Sequence, residues 1–281
     1  MIRKLWQSHR KLLGFLCLTV LGILTTTQNV RAQAVMGARE LGMGQATTAL
    51  PSTQWAVFSN PALMSEDQKS VAFYAARYFG LSEITDMAAA LTYPTNLGVI
   101  AAGMHRYGYD LFNKSRLRLG YKNSFLGFHF GAVLNYSYIV QGGGYGSAGA
   151  LGVDVGLAAP IVSGLWIGAH ATNINQPKYG SLNNEKLSRL LSVGLSYQLS
   201  NIALFSTDIV KDVDFPITYR AGVEVKVIGD LVGRAGITTE PQTFSAGFGY
   251  RNSFWGANVA VQRHQDSVLG YSPAIDFNLR W

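Results

Sequence analysis

The chain has 281 residues and a formal net charge of +7, but only 14% of its residues are charged, well below the roughly 25% typical of soluble proteins. Five of the 23 basic residues and none of the 16 acidic ones precede residue 33, so the net charge does not argue for nucleic-acid binding by the rest of the chain. The only cysteine, Cys17, lies in the same stretch, which excludes a disulfide framework beyond it.

Residues 1–32 have the pattern of a secretory signal peptide. Arg3, Lys4 and further basic residues precede an apolar run over 12–24, and Val30-Arg31-Ala32 supplies the residues expected at a cleavage site. The apolar run is shorter than the roughly 20 residues that a membrane-spanning helix needs. We therefore expect export and cleavage after Ala32.

Residues 33–67 show no sustained alternation of apolar and polar residues. Glycines are frequent, and Asn60 before Pro61 predicts a capped turn of helix. This segment is predicted to be a separate N-terminal element.

Residues 68–281 alternate with a period of two. In 126–138, for example, aromatic and aliphatic residues occupy every second position, with mostly small or polar residues between them. Turn signals divide the region into about fourteen strands of roughly 9–13 residues, the length that a tilted transmembrane strand requires. A soluble β-sandwich also alternates, so the connections between strands decide between the two folds.

Short and long connections alternate along the chain, with one exception at 240–242, which is short where a longer loop is due. Short turns are predicted near 94–96, 122–124, 160–164, 199–201, 228–230 and 252–253, and longer loops near 80–85, 108–114, 141–148, 175–187, 211–216 and 264–272. Outer-membrane barrels have short periplasmic turns and longer outer loops. We therefore predict an all-β fold: a closed antiparallel transmembrane β-barrel of about fourteen strands in the outer membrane of a Gram-negative bacterium.

The last strand carries apolar residues at alternate positions up to the C terminus. Phe277, Leu279 and Trp281 are predicted to form an aromatic-terminated signal that the barrel-insertion machinery recognises. Membrane lipids and that machinery are thus the first expected partners.

A fourteen-stranded barrel is wider than the eight-stranded type that its own side chains can fill, so we expect residues 33–67 to form an internal plug. Alternation also places a set of charged residues on the lumen side. They are either a ligand path or plug-docking site, or pairs between strands that cannot face lipid. These residues are Arg116, Arg118, Asp154, Asp208, Arg220, Glu224, Lys226, Arg234, Arg251, Asp276 and Arg280.

No catalytic or metal-binding pattern surrounds the histidines. The sequence has no Gly-x-Ser-x-Gly elbow and no pair of His or Cys residues at ligand spacing. We expect no enzymatic activity, no metal and no cofactor.

The N-terminal segment resembles a known family. Residues 37–44 (Gly-Ala-Arg-Glu-Leu-Gly-Met-Gly) and 59–63 (Ser-Asn-Pro-Ala-Leu) are similar to the start of PorV/PorQ proteins, which belong to the wider FadL-like group of outer-membrane barrels. The resemblance implies that Gly42, Met43, Gly44, Asn60, Pro61 and Ala62 form the plug motif.

The resemblance implies two functions. PorV and PorQ proteins serve the type IX secretion system, where secretion components and exported proteins are the partners, and this is our leading prediction. FadL-like proteins pass long-chain fatty acids or other hydrophobic compounds, and this is the alternative. The modest outer loops of this chain make it unlike most FadL proteins, which favours the secretion role.

Overall fold

The computed structural model describes residues 35–51, 53–143, 146–180, 186–213, 215–266 and 269–281. The predicted signal peptide, residues 1–32, lies outside the described residues. No helix among the residues described is both long and apolar enough to cross a membrane.

Fourteen antiparallel strands close into one barrel in which every strand pairs with its neighbours in sequence and β1 pairs with β14. The strands are β1 Ser70–Arg77, β2 Thr85–Thr95, β3 Gly98–Tyr109, β4 Phe112–Phe125, β5 Phe128–Gln141, β6 Gly146–Val162, β7 Leu165–Ala171, β8 Leu190–Leu199, β9 Ala203–Asp212, β10 Ile217–Ile228, β11 Leu231–Thr239, β12 Gln242–Arg251, β13 Trp255–His264 and β14 Tyr271–Arg280. The predicted fold class and strand number are confirmed.

Closure of the barrel depends on the first and last strands. Ser70 lies opposite Arg280, and Lys69 and Trp281 exchange two backbone hydrogen bonds of 3.2 and 3.1 Å just beyond that pair. A closed barrel leaves no unpaired strand edge, as a lipid environment demands.

The two faces of the wall differ in composition as the alternation predicted. Outward positions carry exposed apolar side chains such as Leu119, Phe128 and Ile275, each more than half exposed. Inward positions are buried and mostly small or polar. A surface this apolar requires lipid around it, which bears out the predicted outer-membrane localisation.

The connections follow the predicted alternation with two short exceptions. All turns at the end of the barrel that holds the C terminus are two or three residues long, whereas 172–189 at the other end is the longest connection. The predicted longer loop at 108–114 is wrong, because Gly108 and Tyr109 remain paired with Asn113 and Phe112 and only residues 110–111 form the turn. The connection at 240–241 is also short, as predicted.

The N-terminal segment, residues 35–67, contains three short helical elements: α1 (Ala38–Gly42) and two 3₁₀ turns, Ala56–Phe58 and Pro61–Leu63. The Asn60 side chain accepts a hydrogen bond of 3.0 Å from the Ala62 N–H. The predicted capped turn at Asn60-Pro61 is confirmed.

If the outward face contacts lipid, a charge at its centre must be costly. We predict that Leu119→Arg, in the middle of β4, lowers the free energy of unfolding in a bilayer by about 2–4 kcal/mol. Leu126→Arg in the β4–β5 turn is the control, with a predicted loss below about 1 kcal/mol, because that residue lies at the barrel's end. Urea unfolding in phospholipid vesicles measures both, and equal effects would contradict the lipid-facing assignment.

Candidate functional site

The N-terminal segment packs against the inward face of the wall and is almost entirely buried. Of the described residues from Val35 to Met64, all but Pro51 and Gln54 are buried. Most of this backbone is irregular and cannot satisfy its own N–H and C=O groups, so the wall must supply partners.

Two wall carboxylates accept hydrogen bonds from the segment's N–H groups. Asp276 Oδ2 accepts from the Ala38 and Arg39 amides at 2.7 and 3.3 Å. Asp208 Oδ2 accepts from the Thr47 and Thr48 amides at 2.7 and 2.9 Å, and from the Thr48 hydroxyl at 2.8 Å. A carboxylate can hold several donors at once, so two residues fix two separate stretches of the segment.

Donors on the wall bind the segment's carbonyl groups. Thr238 Oγ1 donates to the Gly44 carbonyl at 2.8 Å, and Arg220 donates to the Gln45 carbonyl at 3.2 Å. Ser206 and Ser196 donate to the carbonyls of residues 46 and 49 at 2.8 and 2.6 Å. The irregular backbone over 44–49 is thus held by side chains of four different strands.

An ion cluster joins α1 to the wall. The Arg39 guanidinium donates to both carboxylate oxygens of Glu224, at 2.9 and 3.1 Å, and Arg234 Nε donates to Glu224 Oε2 at 2.6 Å. Glu224 therefore lies between two guanidinium groups, one on the segment and one on β11. Removing it would leave two buried cations without their shared anion, a change that typically costs about 3–5 kcal/mol.

Glu40 is fully buried beside this cluster. Its carboxylate accepts a hydrogen bond from the Thr53 hydroxyl. Burial, followed by the charge of Asp276, raises the pKa of Glu40 to about 7. The raised pKa favours the neutral carboxyl, which lowers the cost of burying Glu40 near Asp276.

The Gly-Met-Gly motif lies where backbones approach most closely. Gly44 has a φ of 63°, and a Cβ atom there would lie 2.6 Å from the Ala221 carbonyl oxygen. On the wall, a Cβ at Gly236 would lie 2.0 Å from the Gly44 nitrogen. Gly42 and Met43 are buried in the same contact, Met43 against Leu204.

The Asn-Pro-Ala motif fixes the next stretch. Asn60 Nδ2 donates to the carbonyls of Thr48 and Leu157 at 2.7 and 3.0 Å, linking two parts of the segment and β6. Pro61 and Ala62 approach the wall where Gly131 leaves room, since a Cβ at Gly131 would lie 2.6 Å from the Pro61 carbonyl. Lys122 Nζ then donates to the Met64 carbonyl at 2.9 Å.

The inward face of β1–β3 is mostly apolar, although the buried Asp86 and His105 side chains form a hydrogen-bonded pair on it near the long-loop end. Trp55, Val57 and Phe58 of the segment pack with the small inward residues of β1, β2 and β3, which form one cluster with it. The inward residues of this cluster on those strands are Ala72, Tyr74, Ala76, Ala88, Ala90, Val99 and Ala101. These wall residues thus form an apolar strip, and the side chains of the segment fill the space beside it.

In the half of the interior nearer the long loops, Arg118 pairs with Asp154, and its guanidinium lies 5.4 Å from the centre of the Phe58 ring. Asp154 also accepts from the Asn173 amide at 2.8 Å, which holds the start of connection 172–189. Arg116 forms no hydrogen bond or ion pair with any residue that the structure describes.

The predicted inward charges thus divide by contact. Arg220, Glu224, Arg234, Asp208 and Asp276 contact the segment or its ion cluster. Arg280 instead donates to the carbonyls of Asn252 and Trp255 at 2.6 and 2.9 Å, tying the end of β14 to the β12–β13 turn. Arg251 and Lys226 lie on the inward side, Arg251 half-buried and Lys226 exposed at the end of β10.

The predicted insertion signal faces outward. Phe277, Leu279 and Trp281 are 41%, 41% and 61% exposed. Their role in recognition by the insertion machinery remains a prediction.

Sequence reasoning missed the wall hydroxyls of Ser196, Ser206 and Thr238. Alternation places these three residues on the inward face, but it places many other polar residues there too. Which of them bind the segment depends on how deep the segment lies in the barrel. Within the described part of the chain, no group of three or more His, Cys, Asp or Glu residues is arranged to hold a metal ion.

The close approach at Gly236 gives a test of the packing. We predict that Gly236→Val displaces the segment while the barrel still forms, because the new side chain overlaps the backbone at Gly44. Hydrogen exchange of the amides over 38–50 should speed up by at least about tenfold. Gly233→Val is the matched control on the same strand, since a Cβ there lies at an ordinary 3.5 Å from Val227 Cγ2; equal exchange in both variants would show that the segment does not pack there.

No family model and no curated protein matches this sequence. Among solved structures, it is similar to the Pseudomonas putida toluene transporter TodX, at 13% identity and a TM-score of 0.60 over 91% of this chain and 99% of that one. For the CymD monoaromatic hydrocarbon channel the values are 11% and 0.61, over 87% and 96% of the two chains. For a Pseudomonas aeruginosa FadL homologue they are 12% and 0.55, over 88% and 98%.

At these identities the similarity concerns the fold. The resemblance to the FadL-like group is supported by the fold, whereas the narrower resemblance to PorV and PorQ rests on the sequence motif alone. The chain has the fold of a FadL-like outer-membrane β-barrel.

Proposed function

We propose that this protein is an outer-membrane channel for small hydrophobic compounds and that its N-terminal segment closes the channel as an internal plug. The proposal reverses the order of our two sequence-based predictions. It places the FadL-like transport role first and the PorV/PorQ-like secretion role second.

The observation that carries the proposal is the apolar strip along the inward face of β1–β3. Apart from Tyr74, its wall residues are small, and Trp55, Val57 and Phe58 of the segment are the bulky apolar groups packed against them. Trp55 packs edge-on against Tyr74 with ring centres 5.8 Å apart, and a Cβ at Gly103 would lie 2.7 Å from the Phe58 ring. When Trp55, Val57 and Phe58 move away, the strip leaves an apolar surface along the wall that extends as far as the buried Asp86 and His105 side chains near the long-loop end.

A charge-lined interior would by itself argue against transport of a hydrophobic compound. Here Asp208 and Glu224, on β9 and β10, lie away from the strip and bind the segment. Asp276 also binds the segment but lies on β14 opposite Tyr74 of the strip. In our proposal these groups keep the segment in the closed position, and the apolar strip is the part that a solute follows.

The similar solved structures add support. TodX and CymD are described as channels for monoaromatic hydrocarbons. The proposal assigns no enzymatic step and needs no cofactor.

Uptake of radiolabelled toluene by whole cells tests the proposal. Deleting the gene should lower the initial uptake rate, and the wild-type gene should restore it. Ala90→Asp, which puts a charge on the apolar strip, should lose roughly tenfold of the restored rate because a hydrophobic solute gains nothing from an ionised wall. Ser245→Asp is the matched control, with an inward carboxyl away from the strip, and it should restore uptake fully.

The filled interior favours a second candidate function, in which the barrel acts through its surface, as in protein export. The same deletion strain separates the two roles. Normal toluene uptake together with exported proteins retained in the periplasm would overturn the channel proposal in favour of secretion. Lost uptake with normal surface proteins would support the channel.

A further inference from the structure

The outward face of the barrel carries charge of one sign at one end. Among the described strand residues, the outward positions include four cations and no acid: Arg77, Arg106, Lys211 and Arg263. Each lies at or near the last residue of a strand that runs towards the long-loop end of the barrel. Since short turns mark the periplasmic end, these cations lie at the cell-surface rim.

Three of the four cations form an arc, which we call the arginine arc: Arg263 on β13, Arg77 on β1 and Arg106 on β3. These strands are separated by β14 and β2 in the closed order. With strands about 4.8 Å apart, neighbouring arginines of the arc lie on strands roughly 10 Å apart. Their cross-strand neighbours are Tyr271, Thr85 and Met87, none of which carries a charge at neutral pH.

The arginines of the arc are exposed, and no described residue forms a hydrogen bond or an ion pair with their side chains. Acidic residues at this rim, such as Glu83 and Asp110, lie in the connections rather than on the outward strand face. Lys211 differs, because its ammonium donates to the Phe215 carbonyl. The arc therefore holds three guanidinium groups that have no partner among the residues described.

We propose that the arginine arc binds the phosphate groups of lipid headgroups in the outer leaflet. Arginine side chains at the edge of an apolar surface extend their charged ends towards the headgroup region, and guanidinium groups bind phosphate through paired hydrogen bonds. Exposed apolar residues below the arc, including Phe73 and Met104, contact the acyl chains of the same lipid. This inference depends on the orientation of the barrel and not on what passes through it.

The test measures lipid retained by the intact protein. Folded protein, checked by its heat-dependent mobility, is reconstituted in phosphatidylcholine nanodiscs containing lipid A or the same lipid after enzymatic removal of its phosphates. Bound lipid is then counted by native mass spectrometry. The wild-type protein should retain lipid A and lose the dephosphorylated form.

The variants locate the site. Each cation near a charged headgroup strengthens lipid binding by roughly fivefold. The triple variant Arg77→Gln/Arg106→Gln/Arg263→Gln should therefore weaken lipid retention on the order of 100-fold. Lys226→Gln removes an exposed cation at the opposite rim and should change nothing.

Two results would overturn the proposal: equal retention of the phosphorylated and dephosphorylated lipids by the wild-type protein, or equal loss in the triple variant and Lys226→Gln. The comparison of the two lipids uses the unaltered protein, so it tests the proposal even if the triple variant does not fold.

Discussion

An irregular backbone can be buried inside a barrel only if the barrel satisfies its hydrogen bonds, and this constraint governs the interior. Each buried N–H or C=O left without a partner would cost about 1–3 kcal/mol. Asp276 and Asp208 bind the N–H groups at 38–39 and 47–48, while wall hydroxyls and Arg220 bind carbonyls between them. The carboxylates that look like a pore lining are therefore the partners that make a folded N-terminal segment possible.

The rest of the interior follows from this arrangement. Glycines stand where the two backbones touch, at Gly44, Gly222 and Gly236, because a Cβ atom at any of them would overlap the other chain segment. Polar residues collect where the segment needs partners. Around Trp55 and Phe58, most inward residues of β1 and β2 are alanine. The two rings also contact Tyr74, His105 and Arg118. A single packing requirement thus produces a polar side that holds the segment and a mostly apolar surface on β1–β3, on which the proposed transport depends.

The sequence predicted the wall better than its contents. Alternation reveals which face of a strand a residue occupies, so the inward positions of Glu224 and Asp276 and the outward position of Trp281 follow directly. The partners of those residues depend on how deep the segment lies and how it turns, which no local pattern encodes; Arg39 binding Glu224 is an example. Loop signals also failed at 108–114, because Gly108 and Tyr109 remain in register with β4. The Gly-Met-Gly and Asn-Pro-Ala motifs suggested a resemblance to PorV/PorQ proteins within the FadL-like group. In the structure both motifs make packing contacts and hydrogen bonds between the segment and the wall, and these contacts do not decide between secretion and transport.

The contacts of the N-terminal segment require residues 35–51 and 53–64 to lie inside the barrel in the cell. Disulfide formation in intact outer membranes tests this location most directly, since the sequence has no cysteine beyond Cys17. A Cβ at Gly42 would lie 3.4 Å from Arg234 Cβ, close to the separation in a disulfide. We expect Gly42→Cys/Arg234→Cys to form a disulfide under mild oxidation, detected by peptide mass spectrometry. The control, Gly42→Cys/Gly233→Cys, should not form one because its second cysteine faces lipid. Free thiols in the first pair, or equal crosslinking in both, would contradict this location.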